Sequence, residues 1–238
     1  MIAVVLMTCG RIDLTARTLA SFAAMNPDAR ERFLLLHADD ASPDQAATLA
    51  LVAEYGFETV VKHAEQRGFR TGRKAAIEVA AARGATWVLT LENDFEWVRP
   101  FPWALFDYLR TQVPDVYCLR LYGVYKERDQ QAPCLHVDLS RGRRPVTWHP
   151  LPGAPERAEA TLTHWGGPPA VTRMTEMLVL QAPPALPGYD GRGDTQPELV
   201  GSGVLTARIA RVVNNVVYHI GRGRSTPRPA SAPSRRDA

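Results

Sequence analysis

Short, almost wholly apolar runs alternate in the first half of the chain with segments whose apolar residues recur every three to four positions. Ile2 to Met7 is too short for a helix and predicts the first strand, central in its sheet. Leu14, Thr18, Leu19, Phe22 and Met25 follow at helical spacing until Asn26-Pro27 stops them. Phe33 to His37 predicts a second strand. Ser42 is placed to cap the next helix, with Pro43 at its first position, Gln45 closing a capping box and Gly56 ending it. Phe57 to Lys62 predicts a third strand. The basic stretch Arg67 to Lys74 then leads into a helix from Ala75 to Arg83. Trp87 to Leu91 predicts a fourth strand that runs directly into acids, followed by a helix from Pro102 to Gln112 and a strand from Val116 to Tyr122. Alternating strands and helices of this kind predict an α/β fold with a mostly parallel central sheet flanked by helices.

The second half is less regular. Residues 126 to 170 hold many of the prolines and glycines, with short β-like pieces at Val146 to His149 and Ala160 to Trp165. The pattern predicts helices over Thr172 to Leu180 and Glu198 to Val212 and a last strand over Val213 to His219. From Arg222 to Ala238 the chain has Ser, Pro, Arg and Ala with almost no large apolar residue, the composition of a disordered tail.

Ligands of open α/β sheets bind outside the carboxyl ends of the strands, so Glu92, Asn93, Asp94 and Glu96 are placed to line a crevice. Glu92 and Asp94 are two apart, which on an extended backbone points both carboxylates to one side. Two hard oxygen ligands beside a phosphate-bearing substrate is how Mg²⁺ or Mn²⁺ is usually held. The plain alternative is a solvated acidic turn.

Composition excludes few classes. With 238 residues, 45% of them apolar and 22% charged, the chain is long enough for one large domain with a substantial core. The net charge of +3 is concentrated at the end, where five arginines stand against Asp237 from Arg222 onward. Cys9, Cys118 and Cys134 are an odd number without metal-type spacing, which predicts free thiols in a reducing compartment. No run reaches the length of a membrane span and no basic segment precedes the first apolar stretch, so the expected location is cytoplasmic. Arg67-Gly68 to Arg73-Lys74 is not a P-loop, because only three residues separate Gly68 from Gly72 and Ala75 stands where that motif needs Ser or Thr.

Four ordered segments resemble the nucleotide-sugar domain of GT-A glycosyltransferases, most similarly family 2. They are Thr8 to Arg11 with Thr18-Leu19-Ala20-Ser21-Phe22, the turn Asp39-Asp40-Ala41-Ser42-Pro43-Asp44, the segment Arg67 to Lys74, and Leu91-Glu92-Asn93-Asp94 at the metal-binding DxD, with Glu in place of its first Asp. The resemblance covers residues 1 to 125 well. It implies a nucleotide-sugar-binding half over 1–125, an acceptor-side region over 126–221 completing the same domain, and the basic tail 222–238.

The same resemblance implies a metal-dependent, inverting transfer of a sugar from a nucleotide-sugar donor to a hydroxyl. It gives the Mn²⁺ or Mg²⁺ site to Glu92, Asp94 and His219, the last from the strand Asn215 to Gly221. Donor contacts fall on Thr8, Gly10, Arg11, Asp39, Arg67, Arg73, Lys74 and Asn93. Glu198 or Asp194 would be the catalytic carboxylate, and Trp165, Gly166 and Gly167 would meet the acceptor. Each has a structural alternative: Asp39 as a turn cap, His219 as a surface histidine, the basic segment as a solvated helix start, Glu198 as a helix-dipole partner. The acceptor is a glycan or, through the arginines of the tail, a polyanion such as DNA carrying a hydroxylated base. The rival readings are a sugar nucleotidyltransferase, although Thr8-Cys9-Gly10-Arg11 lacks its glycine-rich, lysine-bearing loop, and a catalytically silent binding module.

Overall fold

Every residue of β1 (Ile2–Thr8) is buried, and its alternate side chains serve two different cores. Ile2, Val4 and Leu6 pack on one face of the sheet with Leu19, Phe22, Val52, Leu105 and Leu109. Ala3, Val5 and Met7 pack on the other with Ala76, Ile77, Ala80, Met174 and Met177. The two-residue period of an extended chain makes this division, and it explains why β1 reads as an unbroken apolar run. The computed structural model describes residues 1–121, 137–138, 144–145, 149–161, 169–181 and 208–220.

The strands of the first half are β1, β2 (Phe33–Asp39), β3 (Glu58–Lys62), β4 (Trp87–Glu92) and the short β5 (Phe95–Trp97), with β6 (Val116–Arg120) after them. Between them lie α1 (Ile12–Met25), α2 (Ala29–Arg32), α3 (Gln45–Glu54), α4 (Phe69–Ala82) and α5 (Trp103–Gln112). The later part supplies β7 (Val137–Asp138), β8 (Arg144–Pro145), β9 (His149–Pro150), β10 (Ala158–Thr161), β11 (Ala170–Arg173), α6 (Met174–Gln181), β12 (Arg208–Val212) and β13 (Val217–His219). The main sheet has the order β3-β2-β1-β4-β11-β6-β12-β10-β9. β1 pairs in parallel with both β2 and β4, and β2 with β3. Within this sheet β10 and β11 run against the other strands. The result is the expected α/β architecture, with α1, α3 and α5 contributing to one core and α4 and α6 to the other.

An aromatic cluster closes the α1 side, in which Phe22 lies 5.1 Å from Trp97 and 6.1 Å from Phe33 between ring centroids. Asn26, buried at the end of α1, accepts from the Phe101 N–H and so ties the chain after β5 to this helix.

Four local expectations are corrected. The described part of the helix expected over Glu198 to Val212 is β12, parallel to β6, because Ile209, Ala210 and Val212 find a fully buried slot in the sheet. Thr172 and Arg173 belong to β11, inserted antiparallel between β4 and β6, and the helix starts only at Met174. Helix α4 starts at Phe69, so Arg70, Gly72, Arg73 and Lys74 are helical rather than a loop before the helix. At Gly72 a Cβ would stand 3.2 Å from Met7 Cε, so the glycine admits the helix close to β1. The Ser42–Gln45 capping box is absent: α3 starts at Gln45 without a side-chain cap, and both residues are turned to Asp39.

Candidate active site

The carboxyl ends of β1, β2 and β4 lie side by side, with Thr8 opposite Asp39 and Met7 opposite Glu92. Two polar assemblies grow from this edge. The first is centred on Asp39, which has no exposed surface. Its Oδ1 accepts from Thr8 Oγ1 at 2.6 Å and from the Ser42 hydroxyl; its Oδ2 accepts from the Ser42 N–H at 3.0 Å and Gln45 Nε2 at 2.7 Å. Ala41, at φ 56, turns the chain so that Ser42 folds back on this carboxylate. Burial pushes the Asp39 carboxyl up, but the bonds from Gln45, Ser42 and Thr8 outweigh it and hold it below the usual carboxylate range. Behind it His37 sits between Thr8 Oγ1 at 2.8 Å and Thr59 Oγ1 at 2.9 Å, and burial lowers its pKa to about 4.

Asp40, the neighbour, faces the other way. Its Oδ1 accepts from the Arg67 N–H at 2.8 Å and lies 2.9 Å from His63 Nδ1, while Oδ2 accepts from the Gly68 N–H at 2.9 Å. It fixes the turn that opens α4. Gly68 there has φ +87, a backbone conformation suited to glycine.

The second assembly follows β4. Asn93 donates to the Gly10 carbonyl at 2.8 Å and to Thr15 Oγ1 at 3.0 Å, so the loop after β4 is fastened to the loop after β1. Gly10 and Arg11 are both left-handed, at φ 78 and 57. For an arginine this costs about 1 kcal/mol and marks a strained, defined turn. From it Arg11 reaches across the cleft edge, with Nη1 2.9 Å from Asp94 Oδ2 and Nη2 3.2 Å from Asn93 Oδ1. β13 pairs with β5, setting His219 opposite Phe95. The Ile220 N–H donates to the Asp94 carbonyl at 2.8 Å, and His219 Nε2 comes within 3.2 Å of Asp94 Oδ2.

The acids of this second assembly differ from Asp39. Asp94 Oδ1 is buried and has no hydrogen-bond partner among the described residues, in a side chain that is only 4% exposed. Burial raises the Asp94 carboxyl, but His219 and Arg11 more than offset it and hold it below the usual range. The bond to Asp94, working against burial, raises His219 in turn. Burial and the Asp94 charge push Glu92 up to about 7, only partly countered by His219, Arg73 and Arg11. Between the two assemblies lies a cleft of about 220 Å³ lined by Met7, Cys9, Arg11, Asp40, Phe69, Glu92 and Asn93.

The structure therefore brings Gly10, Arg11, Asn93, Glu92, Asp94 and His219 together from three separate stretches of sequence. Thr8 and Asp39 stand just beneath them in the buried network. Arg73 lies over Phe69, 5.0 Å from its ring centroid, at the side of the cleft. Arg67 is exposed and bonds to the site through its backbone. Lys74 pairs with Glu78 along α4 at 3.8 Å, and Glu96 turns to Arg17 of α1 at 3.1 Å instead of entering the crevice. Asp194, Glu198, Trp165, Gly166 and Gly167 lie outside the described residues, as does the tail from 222. Sequence reasoning assigned no role to Asp40, Cys9 or Phe69; a second acid directly after a buried strand is the signal that could have singled out Asp40.

The donor set fits a divalent cation. Among the described residues no three His, Cys, Asp or Glu side chains form a ready metal cage. An orphaned carboxylate oxygen with an imidazole and a second carboxylate nearby suits instead a cation that takes its remaining ligands from a diphosphate and water.

Comparison with known proteins agrees with this geometry. The profile described as glycosyl transferase family 2 matches residues 3–167. No curated protein matches the chain significantly. Among solved structures, residues 1–349 of S. aureus TarS align with a TM-score of 0.52 at 15% identity, covering 92% of this chain and 60% of that one. The mannosyltransferase PcManGT from Pyrobaculum calidifontis, in complex with GDP-Man and Mn²⁺, aligns at 0.54 and 14%, covering 94% and 57%. Glucosyl-3-phosphoglycerate synthase from Mycobacterium tuberculosis, with Mn²⁺, UDP and glucosyl-3-phosphoglycerate, aligns at 0.52 and 17%, covering 95% and 73%. This chain thus spans about 60% of the length of the first of these. At such identities the likeness shows the fold, which is of the GT-A type.

Proposed function

The chain belongs to glycosyl transferase family 2, and from that premise we propose that it moves a sugar from a nucleotide-sugar donor to a hydroxyl acceptor. The observation that carries the reading is the Asp94 site: a buried carboxylate with one oxygen unpartnered among the described residues, beside His219 and next to Arg11, Glu92 and Asn93, which line a cleft at the carboxyl edge of the sheet. A buried carboxylate oxygen that the protein leaves without a donor is suited to a ligand that completes it.

In this proposal Asp94 with His219 and Glu92 holds Mn²⁺ or Mg²⁺, which when bound supplies positive charge to the diphosphate leaving group. GDP-Man with Mn²⁺ in the Pyrobaculum enzyme and UDP with Mn²⁺ in the mycobacterial one support that choice. The chain's own residues do the rest. Gly10 and Asn93 fix the loop against which the diphosphate rests, and Arg11 and Arg73 add positive charge where negative charge develops. The nucleoside sits in the cleft between Met7, Cys9 and Phe69, with Asp40 at its wall. Asp39 acts beneath it by holding the Ser42 turn that bounds the cleft, and Thr8 by holding Asp39.

Attack by the acceptor hydroxyl inverts the anomeric carbon, its proton passing to a carboxylate that the family resemblance assigns to Glu198 or Asp194. Trp165, Gly166 and Gly167 are the acceptor contacts on the same ground. The acceptor is a hydroxyl on a glycan or on a hydroxylated DNA base such as 5-hydroxymethylcytosine; the tail arginines are what speaks for DNA. Deleting residues 222–238 decides between these, because a DNA acceptor loses its salt-dependent affinity with the tail.

The test is a thermal-shift screen of nucleoside diphosphates and nucleotide sugars, with and without Mn²⁺, on the wild type and Asp94→Ala. A ligand that binds only the folded chain raises its melting temperature. The proposal expects a shift that needs both Mn²⁺ and Asp94. No shift with any nucleotide would overturn it.

A further inference from the structure

Arg11 is a basic side chain that touches the acid site directly, and it touches the carboxylate best suited to a cation. Its Nη1 lies 2.9 Å from Asp94 Oδ2, the oxygen that His219 Nε2 also approaches at 3.2 Å, while Oδ1 of the same carboxylate has no hydrogen-bond partner among the described residues. A guanidinium and a divalent cation on one carboxylate repel each other at this range. The two therefore compete for Asp94. Arg11 has somewhere else to go: its side chain is 25% exposed and lines the cleft, and a guanidinium matches phosphate oxygens in a bidentate fork. Its backbone, by contrast, is set by the left-handed pair Gly10-Arg11 and by Asn93 on the Gly10 carbonyl.

We propose that Arg11 is an exchangeable counter-ion, which holds Asp94 before a cation binds and turns to the donor diphosphate once the cation takes its place. This rests on the glycosyltransferase reading above. The exchange gives order to binding. Metal alone must displace Arg11 without compensation, whereas metal with a nucleoside diphosphate gives the guanidinium a new anionic partner. Cation and nucleotide thus bind with positive cooperativity, and Arg11 is the residue through which they are coupled. In the transition state the same guanidinium faces the charge that develops on the leaving diphosphate.

The test measures binding rather than turnover. Mn²⁺ binding to the full chain is followed by electron paramagnetic resonance, and binding of UDP and GDP by calorimetry, for the wild type, Arg11→Met and Arg11→Lys. Loss of the competing ion pair makes Arg11→Met bind Mn²⁺ alone about fivefold more tightly. In saturating Mn²⁺ it binds the better of the two nucleotides about tenfold more weakly, through loss of a charge-assisted contact. Arg11→Lys, which keeps the charge, stays near wild type for Mn²⁺ alone and loses part of the nucleotide affinity. A merely structural role for Arg11 would weaken both ligands together. Equal or weaker Mn²⁺ binding by folded Arg11→Met overturns the proposal while leaving the donor site standing. A wild type that binds neither Mn²⁺ nor nucleotide overturns the donor-site reading and this one with it.

Discussion

Two buried aspartates at the same edge of one sheet have opposite fates. Asp39 accepts four hydrogen bonds over its two oxygens and is fully satisfied within the protein. Asp94 has its cations crowded on Oδ2 and no partner on Oδ1 among the described residues, and burial together with the Asp94 charge pushes the neighbouring Glu92 up to about 7. Both carboxyls lie below the ordinary range, so the shift alone does not separate them. Satisfaction does. A carboxylate whose lone pairs are all taken within the protein holds the fold, and one left incomplete beside a cleft is the better candidate for a ligand.

The comparison is broken most severely at Asp39. Asp39→Ala leaves the buried Thr8 hydroxyl and the Ser42 hydroxyl and N–H without their acceptor, and is expected to destabilise the chain by about 4 kcal/mol. Chemical denaturation measures it, and a loss below about 1 kcal/mol would mean that water replaces the carboxylate. Asp94→Ala should cost far less: the melting temperature stays close to wild type because Arg11 and His219, each about a quarter exposed, can turn to water, while sugar transfer falls about 10²–10³-fold. Unfolding of Asp94→Ala would put both acids in the same structural class.

Acidity sharpens the contrast further. His37, behind Asp39, is lowered from 6.5 to about 4, so its contribution is present above pH 6.5 and is lost as pH falls toward 4. Glu92 is raised from 4.5 to about 7, so its contribution is present below pH 4.5 and is lost as pH rises through 7. Each amounts to about 3 kcal/mol, and between pH 4.5 and 6.5 the two slopes oppose each other. Glu92→Gln should raise stability at pH 8 in the absence of metal and unmask the His37 slope on the acid side. A stability profile identical to wild type would show that Glu92 ionises freely.

The smallest effect is expected at Gly72, where α4 passes over Met7 on the wall of the cleft. Gly72→Ala gains about 1 kcal/mol of helix propensity but must move Met7 Cε by a few tenths of an ångström. Stability should therefore change by less than about 1 kcal/mol in either direction, while nucleotide binding weakens a fewfold. Unaltered nucleotide affinity in a titration would separate this wall from the donor.

The sequence by itself determined the strands β1, β2, β4 and β6, helices α1 and α5, and the position of the acids after β4. These rest on local periodicity and on turn residues, which act over a few positions. The tertiary structure decided what depends on partners far along the chain. Residues Arg208–Val212 became a strand because β6 offered a buried slot beside it, and Thr172 and Arg173 were drawn into the gap between β4 and β6. Ser42 and Gln45, well spaced to cap a helix, were taken by Asp39, which offers buried charge in place of exposed amides. Arg11 meets Asp94 across 83 positions, and His219 arrives through the pairing of β13 with β5. Local spacing carries no signal for such contacts, because their energy comes from burial and charge that exist only once the sheet has closed.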